Sequence, residues 1–143
     1  MLNDEKIAAF VKDYDGSLPS YRCILYACVT AIRVPDMDSI PEYFLKTICG
    51  ENVFVILTLD GNQLSLYPLS ASLKTQVMGR FDIPLGEVNI ITNKKSSVWN
   101  TMRIFLQDGG KLELTISNKT LGIRRQQENA KTFLSIISYL IGE

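Results

Sequence analysis

The sequence of 143 residues predicts a mainly β fold: a seven-stranded antiparallel barrel, or two packed sheets, closed by a C-terminal helix. Beyond residue 50, short apolar segments alternate with turn-forming residues, which is typical of antiparallel strands. Residues 111–117 alternate apolar and polar side chains, as expected for a strand with one buried face. After residue 124 the apolar residues recur with a helical period instead. A curled sheet would supply the apolar surface that this helix needs.

The first element predicted along the chain is a helix at residues 3–14. Its apolar residues recur at helical spacing: Ile7, Phe10, Val11 and Tyr14. Asn3 can cap the free amides of the first turn, and the turn-forming residues 15–17 end the helix. We expect this helix to be peripheral to a barrel that begins near residue 20.

A long strand is predicted at residues 21–34, where β-branched and aromatic residues are frequent. Cys23 and Cys28 lie an odd number of positions apart, so they should point to opposite faces of that strand and not form a disulfide. We expect all three cysteines, Cys49 included, to be reduced and to behave as small buried hydrophobic residues. Residues 35–51 show helical spacing of apolar residues and predict a short inserted helix.

Six shorter strands follow, joined mostly by tight turns. They are predicted at residues 52–59, 63–69, 77–85, 88–93, 98–107 and 111–117. The sequence Asp60-Gly61-Asn62 predicts a hairpin turn with a positive φ, residues 94–97 an exposed turn, and Asp108-Gly109-Gly110 another hairpin.

The chain ends in a predicted amphipathic helix. Its apolar face is formed by Ala130, Phe133, Leu134, Ile137, Leu140 and Ile141. The polar residues are expected on the other faces: Gln126, Glu128, Lys131, Ser135 and Ser138. Because no linker or internal repeat is present, we predict one domain spanning residues 1–143, with residues 1–19 as the peripheral segment and residues 20–141 as the barrel and closing helix.

Two segments resemble the bacterial pleckstrin-homology-like (PH-like) domains, a family of unknown function. Residues 53–67 form an apolar strand, a turn and a second strand that ends at an aromatic residue, and residues 81–88 contain the step Ile83-Pro84-Leu85. The resemblance implies two nearly orthogonal sheets, a partly open barrel and a helix that plugs it. Familiar eukaryotic members carry a tryptophan in the closing helix, whereas Trp99 lies on a predicted strand. That difference weakens the link to the lipid-signalling branch.

Phosphoinositide binding is the function most often attached to this fold, and it requires basic residues around the first connection. Here that connection holds one lysine, Lys46, among four acidic residues: Asp36, Asp38, Glu42 and Glu51. Such a loop would repel an anionic headgroup. We therefore predict no phosphoinositide membrane binding.

Composition also argues against enzymatic and nucleic-acid-binding functions. The chain has no histidine, and Cys23 and Cys28 do not have a zinc-ligand spacing, so we expect no metal and no cofactor. The glycine turns do not form a phosphate-binding loop. Balanced numbers of basic and acidic residues, 15 of each, argue against nucleic acid as a partner. Catalysis by carboxylates alone stays open, because it leaves little trace in one sequence.

The candidate interaction surface consists of six basic residues: Lys74, Arg80, Lys94, Lys95, Arg124 and Arg125. The first four would form a patch on one rim, although charges in turns are usually just solvated. The last two precede the closing helix, where the helix dipole disfavours cations. Their position indicates a partner or an acidic neighbour, with solvation alone as the simpler interpretation.

We expect a non-enzymatic interaction module that binds a protein or peptide, or self-associates, through a groove between an exposed strand edge and the closing helix. The alternative is a small-molecule or lipid-binding domain with a pocket in or beside the barrel. A cytoplasmic location is expected, because the sequence has three cysteines, no secretory leader and no run of 18 apolar residues.

Overall fold

The computed structural model describes residues 2–18, 20–70, 76–95, 98–118, 120 and 122–140, apart from the side chains of residues 90, 95 and 140. Its helices are α1 (Asp4–Asp15) and α2 (Gln126–Leu140). Its strands are β1 (Cys23–Arg33), β2 (Val53–Leu59), β3 (Gln63–Pro68), β4 (Phe81–Pro84), β5 (Val88–Lys95), β6 (Trp99–Leu106) and β7 (Lys111–Ser117). Three 3₁₀ helices cover Met37–Ser39, Glu42–Cys49 and Leu85–Glu87.

The seven strands form one antiparallel sheet with the order β4-β3-β2-β1-β7-β6-β5. The long strand β1 stands in the middle and pairs with β2 on one side and β7 on the other. The sheet curls into a nearly closed barrel with β4 and β5 at its two ends, and α2 closes it. The predicted fold class, mainly β with a PH-like barrel, a C-terminal helix and an extra N-terminal helix, is confirmed.

The core lies inside the barrel and is built from alternate residues of the strands. In β7 the inward residues Leu112, Leu114 and Ile116 are fully buried, and the residues between them are half-buried. Helix α2 adds Phe133 and Ile137 to the same core. The period-two pattern predicted for this strand is therefore confirmed, because it matches the two faces of the sheet.

A second apolar cluster lies on the outer face of the sheet, where α1 packs. Ile7 and Val11 of the helix are buried against Ile56 and Tyr67, which point outward from β2 and β3. The Asn3 side chain caps α1 by accepting a hydrogen bond from the Lys6 amide at 2.8 Å. Helix α1 thus lies outside the barrel, but two of its side chains are completely covered.

The structure corrects three predictions about turns and short elements. The inserted segment 35–51 is helical, but it forms two 3₁₀ helices separated by Ile40 and Pro41. The hairpin turn at 60–62 has no positive φ; the Asp60 carboxylate holds it by accepting from the amides of Asn62 and Gln63, each at 2.8 Å. Strand β4 begins at Phe81 and not at residue 77, because Val77 forms only an isolated bridge with Leu69.

The three cysteines are free thiols in three different environments. Cys23 is buried in the barrel core and Cys28 is half-buried on the opposite face of β1, as the odd spacing predicted. Cys49 is exposed, so the expectation of a buried residue was wrong there. Its 3₁₀ helix buries Phe44 and leaves Cys49 at the solvent end.

Helix α2 also departs from the predicted pattern. Gln126, which we expected on a solvent-facing side of the helix, is fully buried. Asn129 is also buried, with 7% of its surface exposed. Both amides bond to the backbone of β1, which compensates for their burial. Leu140 has no described side chain, and Ile141 lies outside the described residues. No helix in the described part of the chain has both the length and the apolar character to cross a bilayer.

Candidate functional site

Of the predicted basic patch, the described residues include the side chains of Arg80 and Lys94. Lys74 lies outside the described residues, and Lys95 ends β5 with a side chain that is not described. Lys94 is exposed on β5. Arg80, by contrast, is engaged with neighbouring carboxylates and is only partly exposed.

Arg80 joins α1 to β4. Its Nη1 lies 3.0 Å from Asp15 Oδ2, and its Nε lies 2.7 Å from Asp82 Oδ1. Burial alone would lower the pKa of Arg80, but the hydrogen bonds to Asp82 and Asp15 outweigh it and raise the pKa above its usual value. The guanidinium also sits over the Tyr67 ring, 5.4 Å from its centre. With two carboxylates already bound, Arg80 has little charge to offer an anionic ligand.

Tyr67 belongs to the same network and has a structural role. Its hydroxyl donates to Asp15 Oδ2 at 2.8 Å, and its ring is fully buried beneath α1. Burial, together with the hydrogen bond to the Asp15 carboxylate, raises the pKa of Tyr67 well above that of free tyrosine. The phenol therefore stays neutral and fastens the end of α1 to β3.

The backbone at Arg124 and Arg125 contacts an acidic side chain of α1. The backbone amides of both residues donate to the carboxylate of Asp4, at 2.9 and 3.3 Å. Asp4, which lies at the start of α1, thus caps the start of α2. The dipole of α2 favours a negative charge at that position. Both arginine side chains are exposed, and Arg125 Nε lies 3.8 Å from Glu128 Oε2.

Neither thiol of β1, Cys23 or Cys28, is activated as a nucleophile. Burial raises the pKa of Cys23 to about 11, so its thiolate is scarce at neutral pH. Burial also raises the pKa of Cys28. Among the described residues, no group of three or more His, Cys, Asp or Glu side chains is arranged to hold a metal ion.

An aromatic surface occupies the outer face of the sheet, and the sequence did not predict it. Phe54 of β2 stacks on Tyr26 of β1, with ring centres 5.6 Å apart and planes 9° from parallel. Phe54 is 49% exposed and Trp99, on β6, is 51% exposed. Residues 52–59 are almost wholly apolar, so their sequence could not show that Phe54 points toward solvent while its neighbours point inward.

A cleft of about 260 Å³ opens beside β4, and we call it the β4 groove. Its apolar floor is made by Val34, Phe81, Ile83 and Leu106. Its rim carries four acidic residues, Asp36, Asp82, Glu87 and Asp108, of which Asp82 turns its carboxylate toward Ser65 and Arg80. These residues come from the end of β1, from β4, from the link between β4 and β5, and from the turn after β6. The barrel topology alone brings them together.

Three of these carboxylates also hold local structure through one oxygen. Asp36 Oδ1 accepts from the Asp38 amide at 3.1 Å, and Asp108 Oδ1 accepts from the Gly110 amide at 2.8 Å. Asp82 Oδ1 accepts from Ser65 and from Arg80, each at 2.7 Å. Only Asp36 belonged to the acidic connection noted in the sequence, since the other carboxylates lie far along the chain.

Strand β4 is a short edge strand. It pairs with β3 through four residue pairs and stands at the end of the sheet order. Within the described residues, its other edge has no strand partner. The groove therefore lies next to backbone that an extended chain can reach.

Comparisons with known proteins support the fold and go no further. No protein-family model matches the chain. No curated protein matches it either. Among solved structures, it is similar to the hSac2 domain from the human phosphoinositide phosphatase Sac2, with 14% identity and a TM-score of 0.50. The match covers 95% of this chain and 79% of that domain. At such low identity the similarity concerns the fold alone.

Proposed function

We propose that this chain is a non-enzymatic interaction module that binds a protein or peptide. The observation that carries the proposal is the β4 groove, an unpaired strand edge next to an open cleft with an apolar floor. Domains that bind extended peptides combine these two features: the edge supplies main-chain hydrogen bonds, and the cleft accepts a side chain. The protonated thiols of Cys23 and Cys28 agree with a role that needs no nucleophile.

The size of the cleft favours a peptide side chain over a free small molecule. Pockets for drug-sized ligands enclose roughly 300–1,000 Å³ and cover most of the ligand. The β4 groove has about 260 Å³ and is open to solvent. One long side chain fits such a volume, so the small-molecule and lipid-binding alternative receives less support from this cleft.

Selection from a displayed library of random peptides tests the proposal. Immobilised wild-type protein should enrich peptides, and Ser39→Trp should reduce their retention because the new ring would obstruct the cleft that Ser39 lines. Ser20→Trp is the matched control, because Ser20 is also exposed but precedes the opposite end of β1. Failure to enrich any peptide, or equal retention by Ser39→Trp, would contradict peptide binding at the groove.

Self-association is a second form of the proposal, supported by the half-exposed rings of Phe54 and Trp99. A second copy covering them would remove apolar surface from water. Light scattering at rising protein concentration should show an increase in mean mass that Phe54→Ser diminishes. A monomer mass at all concentrations would contradict self-association and leave peptide binding untouched.

We also propose kinship with the bacterial PH-like domains and a cytoplasmic location. Three free thiols support a reducing compartment. Labelling of the native protein in intact cells with a thiol reagent, read out at the exposed Cys49, tests the redox state. Quantitative oxidation of Cys49 in cells would contradict this part of the proposal.

A further inference from the structure

We propose that the occupant of the β4 groove is an extended basic peptide segment, with a lysine or arginine side chain lying in the cleft. This inference rests on the proposed function and adds the chemistry of the partner. Four acidic residues line the groove, and among the described lining residues none is basic. Asp82 is paired with Arg80, so Asp36, Glu87 and Asp108 carry the negative charge of the groove. The whole chain is neutral, with 15 basic and 15 acidic residues, so the negative charge at the groove is a local concentration. A complementary partner carries positive charge there.

The floor of the groove explains why a long cationic side chain fits better than a small cation. Val34, Ile83 and Leu106 are nearly fully buried and form an apolar base beneath the charged rim. Lysine and arginine pack their methylene stems on apolar surface while the charged end stays near water or carboxylates. A hydrated ion would gain nothing from the apolar base.

Local structure does not account for the charge of the rim. Asp36 and Asp108 hold their turns through one carboxylate oxygen each, and an asparagine oxygen could accept the same hydrogen bonds. The side chain of Glu87 makes no hydrogen bond within the part of the chain that the structure describes. The nearby Arg80 is already bound to Asp15 and Asp82. Arg80 thus compensates the charge of Asp82, whereas the charges of Asp36, Glu87 and Asp108 are left for a ligand from outside the chain.

The edge of β4 decides the conformation of the peptide. A segment that pairs with β4 must be extended, and every second side chain then points the same way, about 7 Å apart. One basic side chain can enter the cleft while the next on that face lies farther along the edge strand. A peptide in which basic and apolar residues alternate can therefore pair with the edge of β4 and place a basic side chain in the cleft.

The test uses three labelled peptides in which valine alternates with lysine, with serine or with glutamate, titrated by fluorescence anisotropy against the full chain. We expect only the lysine peptide to bind well, with affinity that falls as salt rises. The charge-removing variant combines Asp36→Asn, Glu87→Gln and Asp108→Asn. It keeps oxygens that can accept the turn hydrogen bonds and should weaken lysine-peptide binding roughly tenfold.

The matched control variant removes three exposed acidic charges elsewhere: Glu5→Gln, Asp13→Asn and Glu51→Gln. If the peptide contacts the rim, the control variant should bind the lysine peptide with an affinity within about twofold of the wild type, because exposed charges farther away are largely screened. Equal weakening by both variants would mean attraction to overall charge and would overturn the inference. Thermal unfolding of each variant shows that the fold is retained.

Backbone methylation tests the extended pairing. N-methyl groups on the alternate amides that face β4 should abolish binding of the lysine peptide, whereas methyl groups on the other set of amides should not. Equal binding of both methylated peptides would overturn strand pairing. N-acetyl-arginine amide and magnesium chloride are tested as competitors at the same concentration as the lysine peptide. Displacement of the peptide by either one would show that the groove binds a small cation, and would overturn the proposal of a peptide partner.

The two proposals fail in different ways. If the random library enriches peptides whose retention depends on the groove but which are neutral or acidic, the inference is wrong and the peptide-binding function stands. If no peptide of any composition is enriched, the proposed function fails as well.

Discussion

Gln126 illustrates how one buried polar side chain joins separate elements of this protein. Its amide accepts from the backbone amide of Tyr26 at 2.9 Å and donates to the carbonyls of Tyr26 and Ser117, at 2.8 and 3.0 Å. It thereby ties α2 to β1 and β7, beyond the point where those strands pair with each other. The sequence shows that the residue is polar, but not that strand carbonyls surround it.

Replacement of Gln126 by leucine should lower the free energy of unfolding by roughly 2–5 kcal/mol, because three backbone groups would lose their partner. Denaturant unfolding followed by circular dichroism measures this. The exposed neighbour Gln127 is the matched control, and Gln127→Leu should change stability by less than about 0.5 kcal/mol. Similar losses in both variants would show that the amide has no special role.

Glu113 should make folding stability depend on pH in the acidic range. Thr30 Oγ1 donates to its carboxylate at 3.0 Å and, with Arg103 Nε at 2.9 Å, holds the pKa of Glu113 below its ordinary value. The ionised form is favoured in the fold, so its contribution is complete above about pH 4.5 and is lost as pH falls through the lowered pKa.

Glu113→Gln should therefore be less stable than the wild type at neutral pH, by less than about 1 kcal/mol because the site is partly exposed. The difference should shrink below about pH 4.5. Unfolding free energies at several pH values measure it. A difference that stays constant down to strongly acidic pH would contradict the assignment to Glu113.

At the scale of elements, α1 combines two kinds of contact: apolar side chains cover the sheet, and acidic side chains at the two ends, the polar anchors, bind other elements. Ile7 and Val11 cover the outer face of the sheet. At the two ends of the helix, Asp4 caps α2 and Asp15 binds Arg80 and Tyr67. The sequence predicted the helix and its cap from local spacing. The anchors could not be predicted, because their partners lie far along the chain.

Removal of residues 1–14 should leave a barrel that still unfolds cooperatively, since no residue of α1 belongs to the inner core. Its stability should fall by roughly 3–5 kcal/mol, because the truncation exposes the surface that Ile7 and Val11 bury. Thermal unfolding of the truncated chain measures both quantities. Loss of the cooperative transition would show that α1 is required for the barrel itself.

At the scale of the whole molecule, one long strand organises the barrel. β1 lies at the centre of the sheet order and contacts α2 through Tyr26 and Ile24 as well as pairing with β2 and β7. The inward residues of the strands and the apolar face of α2 fill a single core. A charge introduced anywhere in that core has no partner and no water.

Ile116→Asp and Phe133→Asp should each prevent stable folding, because the new carboxylate would be buried without a partner at a cost of several kcal/mol. Tyr139→Asp on the same helix is the control; Tyr139 is 82% exposed, so its substitution should be nearly neutral. Circular dichroism and thermal unfolding measure the result. An unchanged thermal midpoint in either core variant would mean that the core is assigned wrongly.

The sequence by itself determined the fold class, the two terminal helices and most strands, because side-chain period and turn chemistry are local properties. It failed where burial depends on distant segments, as at Gln126, Phe54 and Arg80. Of the candidate site, it supplied the acidic character of the first connection and no more. Only the tertiary structure decided that Asp36, Asp82, Glu87 and Asp108 surround one groove beside β4, because their proximity comes from the order of strands in the barrel.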